Sequence, residues 1–422
     1  MDGLLIAIIG VIVLALVFDF TNGFHDAANS VATVVATRAL PARWAPWFSA
    51  AFNFSAFFVV GTAVANTVAK VVHHDAEGVA VVFAALIAAI TWNYLTWHVG
   101  MPSSSSHAII GGLVGAGIAA GGLAAINWGV VQTAVLAIVV SPAVAFSVAF
   151  LAMLALSRLE RRLRIHDNAK AFKGLQLIAA AAVSFGHGAN DAQKTMGIMA
   201  AALLAGGYLT LQPDGNLHID WWIPLPAYSA IALGTVWGGW KIIETMGLRI
   251  TTLRASSGFA ANVGAVTAIF GATGMGIPIS TTHAAASSII GSGVASGQGV
   301  SVRVVLRMVA SWVITIPSTV VIGWVMYQLT QLPGAAAWVA VGSVLFVLIG
   351  WIAWAMAHAV HASDVAAEIP TEAALSQPVP AVPHIEGLSA LDRVTDGPDE
   401  LAAPDLTRVP DVLANRQDPL VM

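Results

Sequence analysis

Apolar residues run along the chain from Gly3 to about His358 in long stretches, without the strict alternation of a strand or the single stripe of a water-facing helix. About 20 consecutive apolar residues let a helix cross a hydrocarbon core of ~30 Å. By that measure the pattern predicts spans near 4–37 (long and interrupted), 47–70, 79–97, 108–121, 129–156, 174–207 (again interrupted), 227–247, 258–275, 284–298, 308–328 and 335–358. The expected fold class is an all-α polytopic membrane protein with about 10–12 transmembrane segments. The first run has no basic flank and no small-residue cleavage site, so it reads as a span and not as a cleaved signal peptide.

Composition sharpens this reading. Hydrophobic residues make up 58% of the 422 positions and charged residues only 9%, with a mean hydropathy of +0.81. A soluble domain carries about 25% charge, and most of any globule's surface still faces water. A soluble enzyme is therefore excluded. The absence of cysteine rules out disulfides, thiolate metal sites and a cysteine nucleophile. The 18 basic residues are dispersed, so no nucleic-acid partner is expected. No cofactor and no resident metal are expected, and no Gly-x-Ser-x-Gly or His-Glu-x-x-His stretch points to an enzyme.

Charge divides the chain. Residues 360–422 hold eleven acids and three bases, with several prolines and no long apolar run, and are expected to form an acidic, disordered tail. In the rest, bases cluster at Arg38 and Arg43, at Arg158–Lys173, at Arg249 and Arg254, and at Arg303 and Arg307. One threading puts every cluster in the cytoplasm, with the N-terminus outside and the tail inside, as the positive-inside rule asks.

Two motifs then occur twice, in the same order. Gly23–Asn29 (GFHDAAN) resembles Gly188–Lys194 (GANDAQK), and Pro102–His107 (PSSSSH) resembles Pro278–His283 (PISTTH). On the threading above the first half has an odd number of crossings, so the second half is inserted upside down. Inverted repeats with interrupted helices at matching places are a pattern of secondary transporters, whose substrate site lies where the repeats meet. The predicted organisation is a first repeat at 1–156, a basic cytoplasmic loop at 157–173, a second repeat at 174–330, an additional transmembrane helix at 331–359 and the tail at 360–422.

Asp26 and Asp191 fall inside apolar runs, where a carboxylate costs about 2.5–3.5 kcal/mol and so needs a partner or a water-lined space. On a helix Asn22, Asp26 and Asn29 share a face, as do Asn190, Asp191 and Lys194. Gly23, Gly186 and Gly188 would let the helices break, exposing amides that attract an anion and carbonyls that hold a cation or proton. The alternative is a structural Asp191–Lys194 ion pair. Ser103–Ser106 and Ser280–Thr282 each follow a proline and offer several neutral donors, the shell an oxyanion needs when it sheds water; the alternative is helix capping. His25, His107, His187 and His283 lie in the same motifs, with a proton relay or a plain hydrogen-bonding role open for each. Asp19 is ambiguous, and Lys241 and Glu244 are spaced to pair with each other. Trp44, Trp47, Trp221, Trp222, Trp351 and Trp354 lie near predicted span ends, as interface anchors do.

These stretches resemble the PiT family of inorganic phosphate transporters, and above all its bacterial low-affinity Pit branch. The matching segments are NGFHDAANSVATVVATRA from Asn22, TWHVGMPSSSSHAIIG from Thr96, FGHGANDAQKTMGIM from Phe185 and GIPISTTHAAASSIIG from Gly276, with GGWKIIETMG from Gly238 and SSGFAAN from Ser256 also similar. The likeness runs from the first span to about residue 330 and leaves out the tail.

The resemblance implies a phosphate symporter in a multi-pass inner-membrane protein, working by alternating access and built from inverted repeats with re-entrant hairpins at the Pro-Ser/Thr-His motifs. It implies a homodimer and lipid as partners. Substrate contacts are then expected from Asn29, Ser104, Ser105, Ser106, Asn190, Gln193, Lys194, Ser280, Thr281 and Thr282, and ion coupling from His25, Asp26 and Asp191. Sodium-coupled members carry acids where this chain has Asn53 and Asn262, so the resemblance favours protons. The resemblance to the Pit branch also implies phosphate carried as a neutral complex with a divalent metal. The alternatives within the fold are sodium coupling or a sulfate permease.

Overall fold

The structure, a computed structural model, describes residues 3–76, 78–163 and 169–369. Helices dominate it, and no strand occurs among the described residues. The helices of the described residues fall into two rows of five positions each, and two more helices follow. The first row is α1 (Gly3–Asp26) with α2 (Ala28–Ala36), α3 (Ala45–Ser55) with α4 (Ala63–Ala69), α5 (Val79–His98), α6 (Ser105–Gly121) and α7 (Trp128–Leu163). The second is α8 (Ala169–Ala205), α9 (Pro224–Trp237) with α10 (Trp240–Glu244), α11 (Ala255–Gly274), α12 (Thr281–Ser296) and α13 (Val302–Thr330), followed by α14 (Ala335–Ala357) and α15 (Ala362–Glu368).

Among the described residues, six helices are long and apolar enough to cross a bilayer: 3–36, 79–98, 128–162, 255–274, 302–330 and 335–357. The bent pair Ala45–Phe58 and Ala63–Ala69 makes a seventh if it counts as one span. Several runs that the hydropathy pattern predicts as crossings have a physical reason to fall outside this set. Helices α6 and α12 have 17 and 16 residues, about 25 Å at 1.5 Å per residue, short of the ~30 Å core. Helix α9 has 14, and α8, long enough at 37 residues, carries the polar motif at its centre. Large apolar side chains stay exposed on the outer faces, among them Leu136 and Val139 of α7, Val313 of α13, and Trp338 and Phe346 of α14. Such a surface belongs in lipid.

The breaks fall elsewhere than the glycines predict. Ala27 keeps right-handed helical angles (φ −50, ψ −34), so α1 and α2 run on as one 34-residue rod. Helix α8 is continuous through Gly186 and Gly188. Those glycines serve close approach: a Cβ at Gly23 would meet the Ile231 backbone of α9, and one at Gly188 the Asn53 backbone of α3. The second element of each row is the one that breaks. The α3–α4 pair bends by 88°, and α9 stops at Gly238, whose φ of 73 suits glycine.

Packing between the rows is reciprocal. Helix α6 lies along α13 and α12 along α7. Gly115 lets α6 reach the Val320 backbone of α13, and Gly291 lets α12 reach the Phe146 backbone of α7. The stretch expected as a basic loop at 157–173 is helix on both sides: α7 runs to Leu163 and α8 begins at Ala169. Arg164 of that stretch lies outside the described residues. The expected tail begins with an ordered turn of helix, α15, tied down by Glu368 to Arg249 at 2.9 Å and by the Ile369 carbonyl to Arg38 at 3.0 Å. Residues 370–422, the bulk of the expected tail, also lie outside the described residues. Glu244 pairs with Arg249 at 2.5 Å, and Lys241 instead donates to the His98 carbonyl at 2.6 Å, so the expected Lys241–Glu244 pair is not formed.

Candidate functional site

The two Pro-Ser/Thr-His motifs open α6 and α12 in the same way. Ser104 and Ser280 are the N-caps, each side chain accepting from the backbone N–H of the histidine three residues on, at 3.2 Å from His107 and 3.1 Å from His283. The two helix starts meet: Ser106 donates to the Ile279 carbonyl at 2.7 Å, and the His107 and His283 rings lie 4.7 Å apart.

Asp26 sits between them. Its carboxylate accepts from Ser105 at 3.4 Å on one side and from Thr281 and Thr282 at 3.4 and 3.0 Å on the other. Asn29, one turn on, donates to both threonine hydroxyls at 3.2 and 3.4 Å. Each helix N-terminus carries roughly half a positive charge and free amides, so two of them face one small anionic space. Here the anion is Asp26 itself. His25 Nδ1 lies 2.7 Å from Asp26, and its Nε2 reaches Thr96 and Ser103 at 3.2 and 3.3 Å.

Helix α8 supplies the other wall. Lys194, fully buried, donates to Asp191 at 2.6 Å, to the Ile279 carbonyl at 3.1 Å and to Ser106. Asp191 also accepts from Asn22 at 3.2 Å. His187 Nε2 lies 3.6 Å from Asp191 and 3.9 Å from Asp26, bringing the two carboxylates together. The ligating atoms of Asp26, His187 and Asp191 all lie within 4.8 Å of one another, close enough to share one cation.

Comparison with known proteins follows this geometry. The sequence model of the phosphate transporter family matches residues 22–323, the stretch that holds both motif pairs. The chain belongs to the phosphate transporter family. A "probable low-affinity inorganic phosphate transporter" of Rhizobium meliloti is 45% identical over 76% of this chain and 95% of that protein. One of the same name from Bacillus subtilis is 41% identical over 78% of this chain and 98% of that protein. Among solved structures, one titled "The sodium-dependent phosphate transporter" is similar with a TM-score of 0.70 and 26% identity, covering 78% of this chain and all of that one. Phosphate transporters are not enzymes and span the cell membrane, which agrees with the exposed apolar faces described above.

Within this phosphate transporter the residues expected at the site divide in two. His25, Asp26, Asn29, Ser105, Ser106, Asp191, Lys194, Thr281 and Thr282 converge on one buried space. The others hold its frame. Ser104 and Ser280 are caps. Asn190 donates to Thr273 and the Ile277 carbonyl and accepts from the Ile279 N–H, fixing the strand-like lead into α12. Gln193 accepts from the Val64 and Ala65 N–H groups at 2.9 and 3.3 Å, satisfying the first turn of α4 where the second element breaks. His187 is the member that motif reading undervalued, although its spacing of four from Asp191 puts both on one face of α8. Thr96 was signalled only by the matching TWHVGMPSSSSH segment, whereas Ser103 belongs to the hydroxyl run after Pro102.

The charge balance of this core is uneven. Among the described residues, the buried carboxylates are Asp19, Asp26 and Asp191, and the one buried ammonium is Lys194. Asn53 and Asn262 occupy buried neutral positions: Asn53 bonds Thr235 at 2.8 Å and His187 at 3.2 Å, and Asn262 accepts from Thr33 at 3.0 Å.

Proposed function

We propose that the protein imports inorganic phosphate by alternating access, coupled to protons that enter with it. The observation that carries this reading is the charge balance. Among the described residues of the site, the carboxylates of Asp26 and Asp191 face the one ammonium of Lys194, so an oxyanion entering alone would meet a net negative core in a medium where unpaired charge is costly. Cations must arrive first or with it. His25, Asp26, His187 and Asp191 are the groups that accept them. Once Asp26 is neutralised, Ser105, Thr281, Thr282 and Asn29 are released from its carboxylate. They can then turn to phosphate, together with Lys194 and the amides of the two helix starts.

The reciprocal packing of α6 on α13 and α12 on α7 supports two related halves, and opposite orientation of those halves gives each hairpin an opening on one side of the membrane. The cycle then opens one hairpin outward while the other stays closed, and exchanges them. The basic clusters support the N-terminus outside and the segment after α15 in the cytoplasm. The working assembly is a homodimer, as the resemblance implies. A neutral divalent metal–phosphate complex meets the same electrostatic requirement, because the metal brings the positive charge that protons otherwise supply.

Sodium coupling is the second reading, favoured by the similar sodium-dependent transporter and by the grouping of Asp26, His187 and Asp191. Asn53 and Asn262, neutral where sodium-coupled members carry acids, weigh against it. Uptake of labelled phosphate into proteoliposomes, competed by arsenate and by sulfate, tests the substrate. Arsenate should compete and sulfate should not; equal competition by sulfate would overturn the phosphate assignment.

A further inference from the structure

Asp19 is a buried carboxylate that the cycle above leaves unused. It lies on α1, two turns before Asp26, about 10 Å along the helix axis. It has no exposed surface, and neither of its oxygens has a hydrogen-bond partner. Three neighbouring polar atoms are buried and unpaired as well: Asn22 Oδ1, Thr195 Oγ1 and Tyr228 Oη. Thr195 and Asn22 flank the carboxylate, and the charges of Asp191 and Lys194 on α8 bear on it. Tyr228 on α9 lies close enough for the Asp19 charge to bear on it. On α5 the titratable neighbour is Tyr94, which faces Thr21.

The donor and acceptor count around Asp19 favours a protonated carboxyl. Lys194 cannot neutralise it, since that ammonium is committed to Asp191, Ser106 and the Ile279 carbonyl. Asn22 donates its amide N–H to Asp191 at 3.2 Å, which leaves its carbonyl oxygen in need of a donor. An ionised Asp19 offers none. A protonated Asp19 offers one O–H to Asn22 and keeps an oxygen to accept from Thr195 or Tyr228. The buried carboxyl is then neutral, which avoids the cost of burying an uncompensated charge.

We propose that Asp19 is a second proton-carrying site of the transporter, linked through Asn22 to Asp191. The proton rides on the Asp19 carboxyl while the core is closed and passes to water when that end of α1 opens. Its loss leaves Asn22 without a donor, which loosens the Asn22–Asp191 bond. This rests on the proton-coupled reading of the Asp26–Asp191 site, and it adds one titrating group to that reading.

Two measurements test it. Infrared spectroscopy of the purified full-length protein in lipid, at neutral pH and without sodium or phosphate, should show the C=O band of a buried, protonated carboxylic acid. Asp19→Asn should remove that band and Asp26→Asn should not; a band that survives Asp19→Asn overturns the proposal. In proteoliposomes each coupled proton contributes about a factor of ten to accumulation per pH unit of gradient. Asp19→Asn should therefore lower pH-driven phosphate accumulation about tenfold at one pH unit, measured relative to phosphate–phosphate exchange by the same vesicles. Asp19→Glu, which keeps the acid, should hold the wild-type ratio. An unchanged ratio in Asp19→Asn overturns the proposal, as does an equal loss of exchange and accumulation in both variants. If the wild type neither exchanges phosphate nor responds to pH, the proposed function itself falls, while the infrared result still decides the state of Asp19.

Discussion

Lys194 offers the sharpest energetic prediction. Its ammonium is fully buried and touches Asp191 at 2.6 Å, the Ile279 carbonyl at 3.1 Å and Ser106. At an effective dielectric of about 20, opposite charges at this separation attract by about 6 kcal/mol. Desolvation of both groups offsets much of that, and removing one partner of a buried pair typically costs about 3–5 kcal/mol because the other charge is left uncompensated. Lys194→Met should therefore destabilise the protein by that amount. Asp191→Asn combined with Lys194→Met removes both charges and should recover most of the loss. The assay is a double-mutant cycle on unfolding in lipid–detergent micelles, followed by tryptophan fluorescence. A double variant no more stable than Lys194→Met would refute the pairing, and would leave Asp191 held by Asn22 and His187 alone.

Other outcomes follow from the same contacts. Asp26→Asn and Asp191→Asn should each abolish phosphate uptake with normal membrane insertion, and full uptake by either would remove that carboxylate from the cycle. Gly188→Ala should cost about 1–3 kcal/mol by overpacking, since its Cβ would meet the Asn53 backbone; an unchanged unfolding midpoint would mean that α3 and α8 separate freely. Ending the chain after Ile369 should leave uptake intact, because α15 and its Glu368–Arg249 pair are retained. A loss of uptake in that variant would assign the acidic tail a part in transport. Arg249→Ala, at an exposed pair, should cost no more than about 1 kcal/mol.

Much of this arrangement was legible in the sequence because the bilayer penalises polar residues so heavily. Asp26, Asp191 and Lys194 stand out against apolar runs for that reason, and all three meet in the structure. The repeated Pro-Ser/Thr-His motifs gave the two helix starts. Ser104 and Ser280 proved to be caps because an N-cap side chain serves the backbone before any ligand. The position of the breaks was not legible: glycine permits a break and equally permits a close crossing. Gly23 and Gly188 do the second, and only the neighbouring helix decides which. Helix length was less legible than helix position, since α6 and α12 are as apolar as spans but have only 17 and 16 residues. The approach of His187 to Asp26 was not legible because Asp26 lies on another helix, and a contact between helices leaves no spacing to read; only its spacing of four from Asp191 was there to see.

The central claim is that phosphate enters this net negative core only with accompanying cations. Proteoliposomes free of sodium, loaded at neutral pH and diluted into acidic medium with labelled phosphate and no divalent metal, test it most directly. The charge balance of Asp26 and Asp191 against Lys194 predicts transient accumulation above the equilibrium level, abolished when a protonophore collapses the gradient. Accumulation that requires sodium and ignores pH would transfer the coupling to sodium. Uptake that only equilibrates, with the same rate and extent under every cation gradient, would contradict the account.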